Sequence, residues 1–234
     1  MRRAWPIAFV SLGAISAAAL AASFLGSTKY ELNGRSYSVP HKYEFERNFS
    51  LPWLAGVKGL DKEPDQSIWL LFPAGELTNG VQGYSRMFRG YSNEVEADMV
   101  VNVLGGKEAQ EFPRHRKDEV NKVALVLERG APTQNDTTTG WTRAFWMIGQ
   151  KGTPGEGGSL FYLIPTGGLQ KLPADWRVPS CQADPDINGR ETYDCTFVIH
   201  RSGLTFDFSL RQVNLLTANR IPDYVLSRLS KWRN

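Results

Sequence analysis

Thr196-Phe197-Val198-Ile199-His200-Arg201-Ser202-Gly203-Leu204-Thr205-Phe206-Asp207-Phe208-Ser209-Leu210 reads as two strands folded back on each other. Arg201-Ser202-Gly203 supplies the turn. Beyond it, Phe206 and Phe208 fall on one face while Asp207 and Ser209 fall on the other. Clean alternation of this kind marks an antiparallel sheet with one face packed and one face wet.

Working outward from that hairpin, the same signature recurs. Tyr30-Glu31-Leu32, the pair Asn33-Gly34, and Arg35 to Val39 form a second hairpin signal. Asn-Gly accepts the positive φ angles of a type I′ turn, and Pro40 would end the second strand. His41 to Arg47 alternates weakly and suggests a further strand. Ile68 to Phe72 is a continuous apolar run stopped by Pro73, which predicts a strand buried on both faces. Ser85 to Tyr91 and Glu94 to Leu104 follow, the latter alternating Val95, Ala97, Met99, Val101 and Val103. Val120 to Glu128, Thr142 to Gln150 and Ser159 to Ile164 read as strands too. The aromatic trio Trp141, Phe145 and Trp146 suggests a layer of the core.

Helix signals are few. Ile221, Val225, Leu229 and Trp232 recur at spacings of four, four and three, with Pro222 in the first turn, so an amphipathic helix is expected over about 221–232. Lys107 to Glu111 and Arg116 to Val120 have no periodic apolar face and suggest single turns at most. Leu172 to Asn188 is polar and rich in proline, as a wandering connection would be. The expected fold is therefore mainly β: an antiparallel sheet, sandwich-like or α+β, closing on one late helix.

The first 25 residues set the compartment. Behind Arg2 and Arg3, residues 4–25 carry no charge and are dominated by Ala, Leu, Ile, Val and Phe. As a helix they would span roughly 33 Å, enough for a hydrocarbon core of about 30 Å. They also fit a secretory signal, with the small-x-small triplet Ala19-Leu20-Ala21 after an apolar run. A cleaved signal, a retained inner-membrane anchor and a buried helix of the fold are the three readings. The first two agree that residues 26–234 are translocated as a single extracytoplasmic domain. The Ala-rich leader favours a bacterial periplasm.

The 234 residues carry 27 Lys plus Arg against 24 acidic residues. Without the leader arginines the balance is nearly neutral, which argues against nucleic acid as a partner. Cys181 and Cys195 are the only cysteines. Both lie in the translocated part, so a disulfide between them is expected.

No catalytic motif is present: no nucleophile elbow, P-loop or zinc-ligand spacing occurs around any Ser, Gly-rich stretch or His. His41, His115 and His200 stand far apart, as surface or turn residues would. Glu76, Glu94, Glu96 and Asp98 are undistinguished candidates for a carboxylate pair. Pro113-Arg114-His115-Arg116-Lys117 is the densest basic run and reads as a solvated loop, partly neutralised by Asp118 and Glu119. Asp184-Pro185-Asp186-Ile187-Asn188-Gly189 matches the opening of a calcium loop, yet Cys195 stands where the closing bidentate Glu belongs. Calcium through Asp184, Asp186 and Asn188 is thus a weak expectation beside an ordinary stapled turn, and no other cofactor is expected.

Leu51 to Leu60 is apolar but broken by Pro52, Gly56 and Gly59, so it reads as a loop that must place Trp53 and Leu54 somewhere. Packing on the protein's own core and contact with a partner are the two options. Together these features favour a non-enzymatic envelope protein that binds a protein partner. Trp53, Leu54, Asp184 and Asp186 are its candidate contacts, and an immunity factor against an envelope-targeted toxin is its most specific form. The alternatives are an envelope-glycan hydrolase and an envelope-assembly accessory.

Overall fold

Asn33 and Gly34 turn the chain with φ of 51° and 69°, joining β1 (Ser27–Leu32) to β2 (Arg35–Pro40) in the register expected of a type I′ hairpin. The computed structural model describes residues 26–45, 67–90, 93–136, 139–147, 159–184 and 192–234. Trp53 and Leu54, the leader, and Asp186 and Asn188 lie outside them.

The remaining strands are β3 (Ser67–Phe72), β4 (Met87–Gly90), β5 (Asn93–Glu96), β6 (Met99–Leu104), β7 (Thr133–Asp136), β8 (Trp141–Met147), β9 (Leu160–Pro165), β10 (Ser180–Asp184), β11 (Thr192–Arg201) and β12 (Leu204–Arg211). Eight of them form one antiparallel sheet in the order β3-β6-β12-β11-β10-β9-β8-β7, while β4 and β5 make a separate ribbon. The β11–β12 hairpin lies near its centre, with Phe197 opposite Phe208 and Ile199 opposite Phe206.

One face of this sheet is the core. Ile68, Leu70, Phe72, Val101, Val103, Phe206, Phe208, Phe197 and Ile199 point into it and are almost wholly buried. The β1–β2 hairpin covers it, together with a 3-10 segment (Gln212–Arg220) and α3 (Ile221–Trp232), the helix expected from the sequence. Within α3, Ile221, Val225 and Leu229 are buried, and Trp232 lies 4.9 Å from the Tyr43 ring. The short helix α1 (Ala74–Gly80) approaches so closely that a Cβ on Gly80 would meet the Tyr224 ring at 2.2 Å, which requires glycine there.

The opposite face carries the main departure from expectation. Residues Gly106–Glu128 are one helix, α2, not a strand over Val120–Glu128 preceded by isolated turns. The basic run 113–117 lies within it rather than in a loop. Its inward positions are Ala109, Phe112, Arg116, Val120, Val123 and Leu127, a helical stripe in which an arginine replaces an apolar residue. Arg116 donates to the carbonyls of Trp176 (2.9 Å), Leu172 (3.2 Å) and Pro173 (3.3 Å). Phe112 packs 5.1 Å from the His200 ring, and Glu119 pairs with Arg177. With helices on both sides of one sheet, the architecture is α+β rather than a sandwich.

Smaller corrections follow from sheet position. Glu94 to Leu104 is two strands, broken at Ala97-Asp98, because β5 leaves the main sheet to pair with β4. β3 is buried on one face only: Trp69 remains 39% exposed. Trp146 is likewise exposed, stacking on Tyr162 instead of joining the core. The stretch expected to wander contains β10, and β7 lies at Thr133–Asp136, where no strand was expected. His41 begins a 3-10 turn after Pro40 in place of a strand.

Candidate functional site

The cysteines are the one expected pair that the fold brings together. Cys181 and Cys195 stand directly opposite each other on β10 and β11 and are joined by a disulfide buried on the core face. Asp184 ends β10 opposite Thr192, so the calcium-like motif begins where the β10–β11 hairpin leaves its ladder.

The candidate acids are dispersed. Glu76 accepts hydrogen bonds from Tyr43 (2.9 Å) and Tyr224 (2.7 Å) and pairs with Arg228 (2.6 Å), which ties α1 and α3 to the turn after β2. Burial first, and the Glu76 carboxylate second, push both tyrosine hydroxyls upward from their ordinary pKa. Glu96 pairs with Arg86 at the surface. Asp98 accepts from the Ala74 N–H at 2.6 Å, holding the first turn of α1. Among the described residues no three His, Cys, Asp or Glu side chains gather as a metal site would require. His200 is half-buried against Phe112, with Nδ1 3.2 Å from the Thr205 hydroxyl; burial lowers its pKa against the upward pull of Asp175.

One groove lies on the sheet face that α2 crosses. It encloses about 410 Å³ and is lined by Trp69, Tyr84, Asp98, Asp194, Asp207 and Arg211, among others, with Val100, Thr196 and Ser209 in its floor. Sheet register assembles it. Trp69 of β3 opposes Asn102 of β6, which opposes Asp207 of β12. Directly opposed residues point to the same face, so these three stand in one row. Ser209 opposes Thr196, and Arg211 opposes Asp194, with which it forms an ion pair.

Three aspartates against one arginine leave this groove with a net of two negative charges on a chain whose balance is positive. Asp207 is held well inside, and burial raises its carboxyl pKa although Arg177 pulls it down. Tyr84, whose hydroxyl donates to the Ala97 carbonyl, is raised by burial and then by the Asp98 carboxylate. Two of the three acids are already engaged, Asp98 by a main-chain N–H and Asp194 by Arg211. The groove is open rather than a deep cleft, and Trp69 and Tyr84 bring two aromatic side chains to it. Such a surface suits recognition of a protruding group.

Sequence reasoning placed partner contacts at Trp53, Leu54, Asp184 and Asp186. It passed over Trp69, because a run of five apolar residues looked buried on both sides. Asp207 carried the only available signal: a charged residue alternating with phenylalanines in a central strand.

No protein-family model and no curated protein sequence matches the chain. Among solved structures it is similar to the iron-regulated outer membrane lipoprotein FrpD of Neisseria meningitidis, at 9% identity and TM-score 0.40, over 90% of this chain and 93% of that one. It is also similar to Smlt3025, an immunity protein of the Stenotrophomonas maltophilia type IV secretion system, at 12% identity and TM-score 0.41, over 89% and 94%. Values at this level assign neither family nor function.

Proposed function

We propose that this chain is a non-enzymatic protein of the bacterial envelope that binds a protein partner, in its most specific form an immunity factor against an envelope-targeted toxin. The observation that carries this reading is the groove beside Trp69: an exposed large aromatic lining an open, charged recess. Exposed aromatics seated beside pockets are the usual anchors of protein interfaces. The buried Cys181–Cys195 disulfide supports an oxidising compartment, and with it export behind the Arg2-Arg3 leader. Among the described residues no helix is long and apolar enough to cross a membrane.

The glycan-hydrolase alternative needs two acids facing one substrate bond. Of Glu76, Glu96 and Asp98, only Asp98 lines the groove. The test is neutralisation. Exported toxins encoded in the same genome are sent to the periplasm one at a time, with and without residues 27–234, and survival is scored. Rescue that is lost in Trp69→Ala supports the proposal. Absence of rescue, together with turnover of purified cell-wall material by the same protein, overturns it in favour of the hydrolase.

A further inference from the structure

Between Trp69 and Asp207 stands Asn102, only 8% exposed, and its Oδ1 accepts no hydrogen bond among the described residues. Buried amide oxygens are rarely left without a donor, and each that is costs free energy. The Asn102 oxygen is closed off from solvent, so what the row offers at the groove is an aromatic face and the Asp207 carboxylate. Asp98 and Asp194 stand at the same groove, whose balance is negative. These features share one complement: a cationic group rich in N–H donors, flat enough to lie against an indole. A carboxylate or a phosphate would meet a groove whose balance is negative. A guanidinium meets acceptors that its planar fork of five donors can satisfy, and its face can stack on Trp69.

We infer that the groove beside Trp69 receives an arginine side chain presented by the protein partner, with Asp207 as its acceptor and Trp69 as the stacking face. This rests on the binding function proposed above and names the chemistry of its partner. The charge of Asp207 supplies the attraction, and Trp69 supplies the preference for arginine over lysine. Arg211 stays with Asp194, so the incoming cation meets Asp207 rather than the ion pair.

The test uses N-acetyl-arginine amide as the probe, titrated into ¹⁵N-labelled protein, with the citrulline and lysine counterparts as controls. Saturable shifts are expected at the Trp69 indole N–H, the Asn102 side-chain amide and the Thr196 and Ser209 amides. Citrulline, which keeps the shape but loses the charge, should produce none. Trp69→Ala should weaken arginine binding about two- to fivefold, the equivalent of one exposed cation–π contact. Asp207→Asn, which retains shape and should fold, should abolish it. Lysine binding as well as arginine, citrulline binding as well as arginine, or shifts spread away from the groove would each overturn the assignment.

The two proposals fail separately. A toxin neutralised equally well by Asp207→Asn and wild type removes the groove from the interface and leaves the binder standing. Saturable arginine binding without any neutralisation leaves the groove and removes the immunity reading.

Discussion

Asp207 on β12 stands directly opposite Asn102 on β6, on the sheet face turned away from the main core. Burial raises the Asp207 carboxyl above its unfolded pKa. The folded state therefore takes up a proton more readily than the unfolded chain, and stability is lowest where Asp207 must be ionised. The cost is fully present above the folded pKa and fades as pH falls toward the unfolded value of about 3.9. Asp207→Asn is expected to stabilise the protein near neutral pH by about 1 kcal/mol, with the gain shrinking toward about pH 4. Urea midpoints of variant and wild type at the two pH values check this. Equal midpoints at neutral pH would show that Arg177 already offsets the burial.

His200 has the opposite sign. Its folded pKa lies below the ordinary 6.5, because burial against Phe112 outweighs the nearby Asp175. The unfolded chain then binds a proton that the folded chain refuses. Stability is complete above about pH 6.5 and is lost as pH falls below it. His200→Gln should flatten the part of the stability profile between roughly pH 7 and 5. Thermal melts across that range, compared with those of the wild type, isolate the contribution.

The disulfide closes a hairpin with a sequence separation of 14. On the chain-entropy account its loss lowers stability by about 3 kcal/mol. The buried pair opposes neighbours within a continuous ladder, so the sheet should survive reduction with a lower melting temperature and unchanged far-ultraviolet dichroism. A Cys181→Ser, Cys195→Ser double variant should match the reduced protein. If reduction leaves the melting temperature unmoved, the cross-link is not contributing.

Glu76 joins three elements that the chain brings from far apart, and its carboxylate is only about one-fifth exposed. Glu76→Ala removes the acceptor of the Tyr43 and Tyr224 hydroxyls and leaves Arg228, which still donates to the Tyr224 oxygen, without its carboxylate. A loss of roughly 2–3 kcal/mol is expected. Glu76→Gln, which still accepts hydrogen bonds but carries no charge, should recover part of it. Loosening should appear first in α3, as faster amide exchange at Val225 and Leu229.

Most of the sheet was legible because its strands alternate. Phe206, Phe208, Val101 and Val103 announce a packed face, and Asn33-Gly34 leaves the chain little choice of turn. The terminal helix was legible for the same reason at a different period. What escaped depends on partners distant in sequence. β10 is short and preceded by prolines, so only its pairing with β11 identifies it. Trp69 looked buried because its neighbours are apolar, whereas exposure is decided by where α2 crosses the sheet. The groove combines β3, β6, β11 and β12, and no local spacing encodes that meeting. Its negative charge was invisible in a chain whose totals nearly balance.

Helix α2 was hidden by Arg116 itself. At the position where the stripe Ala109, Phe112, Val120, Val123, Leu127 needs an apolar residue, the sequence supplies a cation, with Pro113 three residues before it. The guanidinium is accommodated because the chain at Leu172, Pro173 and Trp176 turns its carbonyls toward the helix. Arg116→Ala takes the guanidinium donor from those carbonyls, of which that of Pro173 keeps another donor, the Trp176 N–H, and should cost about 2–3 kcal/mol. Arg116→Lys keeps the charge but offers a compact ammonium in place of a planar fork, so only part of that stability should return. Arg116→Met fills the stripe with an apolar side chain. If it proves as stable as the wild type, packing rather than carbonyl capture holds α2 to the sheet; a loss close to that of Arg116→Ala assigns the role to the hydrogen bonds.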